Sequence, residues 1–121
     1  MGAEVGMADA AVWLVMITCA DRAEAVAIGR ALVEARLVAC AHIRPHTAIY
    51  RWDGVVEEAE EAGLLVKTVA GNYAAIEAAV KARHRYALPA ILAVPVVAGL
   101  APFLDWVAAQ SGGVGQGGGL V

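Results

Sequence analysis

The sequence predicts an α+β fold, a ferredoxin-like split β-α-β-β-α-β sandwich with an extra C-terminal helix and a long β-hairpin. Three observations predict it. Segments with strand and helix patterns follow one another in that order, which is typical of an antiparallel sheet with helices on one face. The pair Asp53 and Gly54 joins two long strand patterns. The chain has 121 residues, 60% of them hydrophobic, which is enough for one core of ordinary size.

The first two elements are a buried strand and a capped helix. Residues 12–18 are rich in apolar and β-branched side chains, which predicts a strand buried on both faces. Asp21 is a candidate N-cap, and Glu24 three positions later completes a capping-box pattern. We expect the helix to run to about Arg36. Gly29 inside it predicts a closely packed partner, because glycine in a helix costs roughly 1 kcal/mol relative to alanine.

The long hairpin comes next. Asp53 and Gly54 supply the two residues with positive φ that a type I′ turn requires, and the predicted arms extend roughly over residues 39–52 and 55–69. Pro45 has no N–H to donate to a ladder, so it predicts a bulge or an edge strand. The arms are too long for the core of a small domain to cover. We therefore expect another subunit to cover part of the hairpin.

The second half of the chain repeats the pattern of helix and strand. Asn72 is a candidate N-cap for a helix that ends near His84. Residues 88–97 predict a strand, in which Pro95 indicates an exposed edge. Residues 100–110 predict a short terminal helix.

The predicted organisation is a flexible N-terminal arm over residues 1–9, a folded domain over residues 10–110 and a disordered glycine-rich tail over residues 111–121. The net charge of −3 argues against a nucleic-acid partner. The longest apolar run is about half of the ~20 residues that a membrane-spanning helix requires. Glu4 and Asp9 precede that run where a signal peptide would carry Lys or Arg. We therefore expect a cytoplasmic protein with no membrane partner and two reduced cysteines.

Charged and nucleophilic residues give no pattern for catalysis. The acidic run of the hairpin consists of Glu57, Glu58, Glu60 and Glu61. Strand alternation sends its members to two faces, so the four cannot converge on one ion. Arg44 and Arg51 on the opposite arm are predicted as their cross-strand partners. The sequence has no Ser-His-Asp grouping, glycine-rich phosphate loop or Cys-x-x-Cys pair, which predicts a protein that is not an enzyme.

Five segments between roughly residues 12 and 110 carry a family resemblance. They are Leu37-Val-Ala-Cys-Ala41, Tyr50-Arg-Trp-Asp-Gly54 followed by Glu57-Glu58, Leu64-Leu-Val-Lys-Thr68, His84-Arg-Tyr-Ala-Leu-Pro-Ala-Ile91 and Phe103-Leu-Asp-Trp106. In this order they resemble the CutA divalent-cation-tolerance family. Arg85, Ala87 and Ala90 depart from it, since the family commonly has proline and two glutamates at these positions.

The resemblance implies a homotrimer whose hairpins cross between neighbours, and a role in metal homeostasis through binding of metal ions, copper in particular. Cys19, Cys40 and His84 match the positions that it associates with copper, and thiolates with imidazole suit copper(I). In the predicted sheet, Cys19 and Cys40 lie at opposite ends, about 20 Å apart, with His84 near Cys19. Two alternatives stay open: a site shared between subunits, or cysteines that are simply small buried hydrophobes.

A second group consists of Trp52, Lys67 and Tyr86, which would line a cleft between subunits and suit a small anionic ligand. The alternative for these residues is packing and hydrogen bonding at the interface. The group leads to a rival function, a trimeric signalling module like the nitrogen-regulatory signal proteins. Such a module carries a long flexible loop, whereas this chain has the tight turn at Asp53 and Gly54. A third interpretation is a structural trimer that binds an unidentified partner protein.

Overall fold

The computed structural model describes residues 11–112, and four strands and three α-helices lie in that range. The strands form one antiparallel sheet, which confirms the α+β class. The predicted arm over residues 1–9 lies outside the described residues. The elements are β1 (Val12–Cys19), α1 (Arg22–Glu34), β2 (Cys40–Trp52), β3 (Val55–Val69), a 3-10 turn (Ala70–Asn72), α2 (Tyr73–Arg83), β4 (Ile91–Pro95) and α3 (Ala101–Gln110).

The strand order in the sheet is β2-β3-β1-β4, so β2 and β4 are the edge strands. Pro45 lies in β2 and Pro95 in β4, so the edge alternative holds for Pro45, and the edge position predicted for Pro95 is confirmed. Both β1 and β2 run antiparallel to β3. They are therefore parallel to each other, and the end of β1 lies far from the start of β2.

The hairpin turn fixes the register of β2 against β3. Asp53 has φ 51° and Gly54 has φ 79°, which confirms the predicted turn with two positive φ angles. Each residue of β2 pairs with the residue of β3 equally far from the turn, from Trp52 with Val55 at the tip to Cys40 with Lys67 at the base.

The core lies between the sheet and the helices. Gly29 allows α1 to approach the sheet, because a Cβ at this position would stand 3.1 Å from Ala41 Cβ and 3.2 Å from Leu64 Cδ1. This confirms the predicted close partner. Each large apolar side chain buried here stabilises the fold by about 1.5–3 kcal/mol. The largest are Ile17, Ile28, Leu32, Leu64 and Ile76.

The tip of the hairpin differs from its base. Near the base, alternate residues of β3 are buried, whereas at the tip apolar side chains stand in the open. Ile49 is 69% exposed, Trp52 53% and Val56 59%. Among the described residues, no helix has both the length and the apolar character needed to cross a membrane.

Several predicted boundaries differ from those of the structure. Helix α1 ends at Glu34 rather than near Arg36, because Arg36 adopts a φ of 61° and the Leu37 N–H turns back to the carbonyl of Leu32. Strand β4 begins at Ile91, three residues later than predicted, because the preceding loop turns toward α1. Ser111, the first residue of the predicted tail, is buried. The rest of that tail, from residue 113, lies outside the described residues.

Asn72 precedes α2 as predicted, but its side chain does not cap the helix. The amide instead donates hydrogen bonds to the carbonyl of Leu37 (3.0 Å) and to the carbonyl of Ser111 (2.9 Å). Asn72 therefore ties the chain after α1 to the end of α3, and this long-range role explains why Ser111 is held in place.

Candidate functional site

Three elements bring a thiol, a carboxylate and an imidazole together. Cys19 ends β1, Glu24 lies in the first turn of α1, and His84 follows α2 directly. One ligand atom from each side chain lies within 4.8 Å of the other two. Cys19 is fully buried, and so is the side chain of His84. The structure thus joins two of the three predicted metal ligands, Cys19 and His84, and adds Glu24.

Both ring nitrogens of His84 are hydrogen bonded. The backbone N–H of Tyr86 donates to Nδ1 at 3.1 Å, so Nδ1 carries no proton. The proton therefore resides on Nε2, which donates to the carbonyl of Thr18 at 2.6 Å. A metal ion at either nitrogen has to replace one of these hydrogen bonds.

Both carboxylate oxygens of Glu24 are also hydrogen bonded. Its Oε1 accepts from the N–H of Ala20 at 2.7 Å, and its Oε2 accepts from the N–H of Arg85 at 2.7 Å. Burial raises the pKa of the Glu24 carboxyl, but these backbone hydrogen bonds and the positive charge of Arg85 outweigh it and hold the pKa below its usual range. Glu24 is therefore a buried carboxylate with N–H donors on both oxygens.

Cys19 is a protonated thiol at neutral pH. Burial, followed by the negative charges of Glu24 and Asp21, raises its pKa from 9.0 to about 12. A thiol in this state is a poor nucleophile. A metal ion that binds its sulfur has to displace the proton.

Cys40, the third predicted metal ligand, does not join this cluster. Cys19 pairs with Ala62 across the sheet, whereas Cys40 pairs with Lys67, five positions further along β3. At ~3.3 Å per residue, this register offset separates the two cysteines by about 16 Å along the strands. The physical reason is the parallel direction of β1 and β2, which places the end of one far from the start of the other.

A cavity of 580 Å³ lies beside the cluster. Trp52 and Tyr86 of the predicted cleft group line it, whereas Lys67, the third member of that group, does not. Lys67 lies near the base of the hairpin, where its Nζ is 3.2 Å from His42 Nδ1. The full lining is Thr18, Ala48, Tyr50, Trp52, Glu61, Arg85, Tyr86, Ala87, Leu88 and Ala90.

A chain of polar contacts crosses the wall of the cavity. The Tyr86 hydroxyl donates to Glu61 Oε2 at 2.9 Å, and Glu61 Oε1 lies 3.2 Å from His46 Nε2. Burial, followed by the hydrogen bond to Glu61 and its charge, raises the pKa of Tyr86 to about 12. Tyr86 therefore stays protonated and keeps donating to Glu61.

Sequence reasoning missed Glu24 and Glu61 as site residues and paired the acidic run with the wrong partners. The register places Arg44 opposite Gly63 and Arg51 opposite Val56. For Glu61, the position of the two-residue turn would have been enough to predict its cross-strand partner. His46 and Glu61 are each seven positions from the two-residue turn, so a type I′ hairpin makes them cross-strand partners.

Comparisons with known proteins agree on one family. The family model for the CutA1 divalent ion tolerance protein matches residues 13–110. The chain is similar to the divalent-cation tolerance protein CutA of Thermus thermophilus, with 43% identity over 100 residues that cover 82% of this chain and 97% of the relative.

Solved structures show the same likeness. The structure of the periplasmic divalent cation tolerance protein CutA from Archaeoglobus fulgidus matches with a TM-score of 0.81 at 36% identity, covering 83% of this chain and 98% of the other. CutA from Xylella fastidiosa matches with a TM-score of 0.79 at 39% identity, covering 82% of this chain and 96% of the other. The family match over residues 13–110 includes the range in which the candidate site lies.

Proposed function

The chain belongs to the CutA1 divalent ion tolerance family, and we propose that it is a homotrimer that binds copper ions through Cys19 and His84. In this proposal it contributes to metal tolerance and homeostasis by binding, without catalytic turnover. The observation that carries the proposal is the cluster in which donor atoms of Cys19, Glu24 and His84 lie within 4.8 Å of one another.

The donor set fits a soft ion. A thiolate and an imidazole favour copper(I), whereas hard divalent ions prefer several oxygen ligands. Glu24 offers the only carboxylate of the cluster, and both of its oxygens already accept N–H donors. We therefore assign the ligand roles to the Cys19 sulfur and a His84 ring nitrogen, with Glu24 as a neighbouring negative charge that favours the bound cation.

The trimeric state is supported by the surface of the hairpin. Its tip leaves Ile49, Trp52, Val55 and Val56 more than half exposed. Trp52 and Val55 lie on one face of the tip and Ile49 and Val56 on the other, and exposed apolar groups clustered in this way are typical of protein interfaces. Contact with neighbouring subunits would cover them without extending the core of a single chain.

Because the chain has two cysteines, replacing each of them in turn gives a matched test of the metal site. Native mass spectra of the reduced protein, recorded during a copper(I) titration, should show one copper ion per chain. Cys19→Ser should lose this uptake, and Cys40→Ser should retain it, because Cys40 lies at the other end of the sheet. Zinc in a parallel titration should bind more weakly. Equal uptake by the wild type and Cys19→Ser would remove the proposed ligand, and loss in Cys40→Ser would indicate a site shared between subunits.

A substitution at Trp52 tests the proposed trimer. Trp52→Asp places a charge in the proposed interface and should shift the native mass toward monomer or aggregate. Val33→Asp is the control, since Val33 is also exposed and apolar but lies on α1, away from the hairpin tip. An intact trimer in Trp52→Asp would contradict the proposed interface.

The two-residue turn favours this proposal over a signalling module. Trp52 pairs directly with Val55, so the connection between β2 and β3 has no room for a long loop. A cytoplasmic location stays a prediction, which fractionation of cells that express the chain would test.

A further inference from the structure

The donor atoms of the metal cluster are closed off from solvent by residues 11–112. Cys19 is fully buried, the side chain of His84 is 0% exposed and that of Glu24 is 5% exposed. These three residues do not line the cavity that lies next to them. Neighbouring subunits can only add to this burial, so the cluster is closed in a single chain and in the proposed trimer alike. An ion therefore reaches the donor atoms only when part of the chain moves.

The loop between α2 and β4, residues 84–90, closes the cluster on the side of the cavity. The backbone N–H of Arg85 donates to Glu24 Oε2 at 2.7 Å, and that of Tyr86 donates to His84 Nδ1 at 3.1 Å. Arg85 and Tyr86 also line the cavity. These two residues lie between the cavity and the donor atoms, so displacement of the loop would open the cluster.

Few backbone contacts hold this loop. In the described part of the chain, residues 85–89 make no hydrogen bond from backbone to backbone. The first backbone contact with the sheet after them is the Thr18 N–H, which donates to the carbonyl of Ala90 at 3.1 Å. Segments with few backbone hydrogen bonds open at a low cost in free energy, whereas core strands open only when the domain unfolds. The loop is therefore suited to open while the sheet and the helices stay folded.

The side chain of Arg85 ties the loop to the start of α1. Its Nη2 lies 2.7 Å from Asp21 Oδ2, and its Nε lies 3.5 Å from Glu24 Oε2. Another side-chain contact, from the Tyr86 hydroxyl to Glu61 at 2.9 Å, holds the loop to β3. Arg85 and Asp21 are each more than half exposed, and an exposed ion pair shifts an equilibrium by up to about fivefold. This pair therefore favours the closed loop, and it can break without unfolding of the chain.

We propose that the side chain of Arg85 is a latch on the metal site. When its contacts with Asp21 and Glu24 break, the loop of residues 84–90 opens, and the ion reaches the donor atoms of the cluster. The identity of the ion rests on the proposed function, whereas the latch rests on contacts within the chain. Arg85 is a positioning residue, because it acts through the loop and supplies no donor atom.

Alkylation of Cys19 by uncharged iodoacetamide at pH 8.5 tests the latch without any metal ion. A Cys40→Ser background leaves Cys19 as the one thiol of the chain, and mass spectrometry follows the reaction. Arg85→Met keeps the apolar stem and the backbone N–H but removes the charge, and it should speed the reaction by about threefold to fivefold. Loss of the positive charge alone would raise the pKa of Cys19 and slow the reaction, so faster alkylation reports opening.

Arg83→Met is the matched control for this substitution. The Arg83 guanidinium lies near the end of α2 and donates to the carbonyl of Ala79, so its removal should leave the rate of alkylation unchanged. Equal rates for Arg85→Met and Arg83→Met would overturn the proposal. A rate that rises with low urea in proportion to global unfolding would also overturn it, because Cys19 would then react only in the unfolded chain.

Asp21→Asn breaks the same ion pair from its other side. Asparagine is as good an N-cap as aspartate, so α1 should stay folded. In this background, Arg85→Met should change the rate of alkylation by less than about twofold, because the contact that it removes is already broken. A full threefold to fivefold increase in this background would mean that Arg85 acts without Asp21, and it would overturn the proposal.

Copper release separates the latch from the proposed copper site. After loading with copper(I), Arg85→Met should lose the ion to an excess of chelator about threefold to fivefold faster than the wild type. Removal of a nearby positive charge alone would slow the release of a cation, so faster release also reports opening. Faster alkylation with no copper uptake would support the latch and contradict the copper site, whereas copper uptake with unchanged alkylation would overturn the latch alone.

Discussion

The metal cluster at Cys19 and the cavity at Trp52 share one loop but pair their carboxylates with different kinds of partner. In the cluster, both oxygens of Glu24 and both ring nitrogens of His84 have hydrogen-bond partners within the protein. In the cavity, both oxygens of Glu61 also have partners, but these are side chains, the Tyr86 hydroxyl and His46. A buried polar group without a partner costs free energy, so the pairing of Glu24 and His84 stabilises the folded chain. The walls of the cavity are more exposed, since Tyr50, Trp52 and Tyr86 are each at least 36% exposed.

The two regions therefore differ in how much they stabilise the fold and in how readily a ligand could enter them. A metal ion can enter the cluster only by replacing a proton on Cys19 and a hydrogen bond of His84, which should make uptake selective for ions that bind sulfur strongly. Substitutions in the cluster should therefore cost more stability than substitutions in the cavity.

The largest effect is expected at Glu24. Glu24→Ala removes the acceptor for the N–H groups of Ala20 and Arg85, and it should lower the free energy of unfolding by about 3 kcal/mol or more. Urea denaturation at a fixed protein concentration measures this change. Glu34→Ala, an exposed position in the last turn of the same helix, should change it by less than about 0.5 kcal/mol. Similar losses in both variants would mean that the cluster does not stabilise the fold.

A smaller effect should appear at high pH through Cys19. Its folded pKa of about 12 lies above the ordinary value of 9.0, so the folded chain retains a proton that the unfolded chain loses. The stability due to the neutral thiol is fully present below pH 9 and is lost as the pH rises toward 12, at up to about 1.4 kcal/mol per pH unit.

Denaturation at pH 8.5, 9.5 and 10.5 tests this window. The wild type should lose about 2 kcal/mol across it, whereas Cys19→Ala should be flatter because no thiol is left to ionise. Tyr86→Phe controls for Tyr86, whose raised pKa contributes in the same direction only above pH 10. Parallel curves for the wild type and Cys19→Ala would show that the thiol is not buried as described.

The features that sequence predicted correctly depend on neighbours in the chain. Asp21 caps α1 by accepting from the N–H of Glu24 three positions later, and Asp53 with Gly54 makes the hairpin turn. A short stretch of residues determines such geometry, so composition and spacing are sufficient to predict it.

The features that sequence missed depend on packing between distant segments. Glu24 accepts from Arg85, which is 61 residues away, and no local pattern distinguishes this carboxylate from an ordinary capping glutamate. Tertiary packing also explains why β4 begins later than the sequence predicts, because the loop before it is held against α1. Glu61 combines local and long-range features. The turn predicts its cross-strand partner, whereas the cavity that it lines depends on packing between distant segments.

The smallest effect is expected at Tyr86. Tyr86→Phe removes the hydroxyl that donates to Glu61, but water can reach this carboxylate through the cavity, so the free energy of unfolding should fall by less than about 1 kcal/mol. Tyr73→Phe is a matched control, because the Tyr73 hydroxyl donates to Glu77 at 3.0 Å in a similar pair away from the cavity. Urea denaturation should give similar small losses for both. A loss at Tyr86 as large as that of Glu24→Ala would show that its hydrogen bond is closed to solvent, and the cavity would then be part of the same rigid network as the cluster.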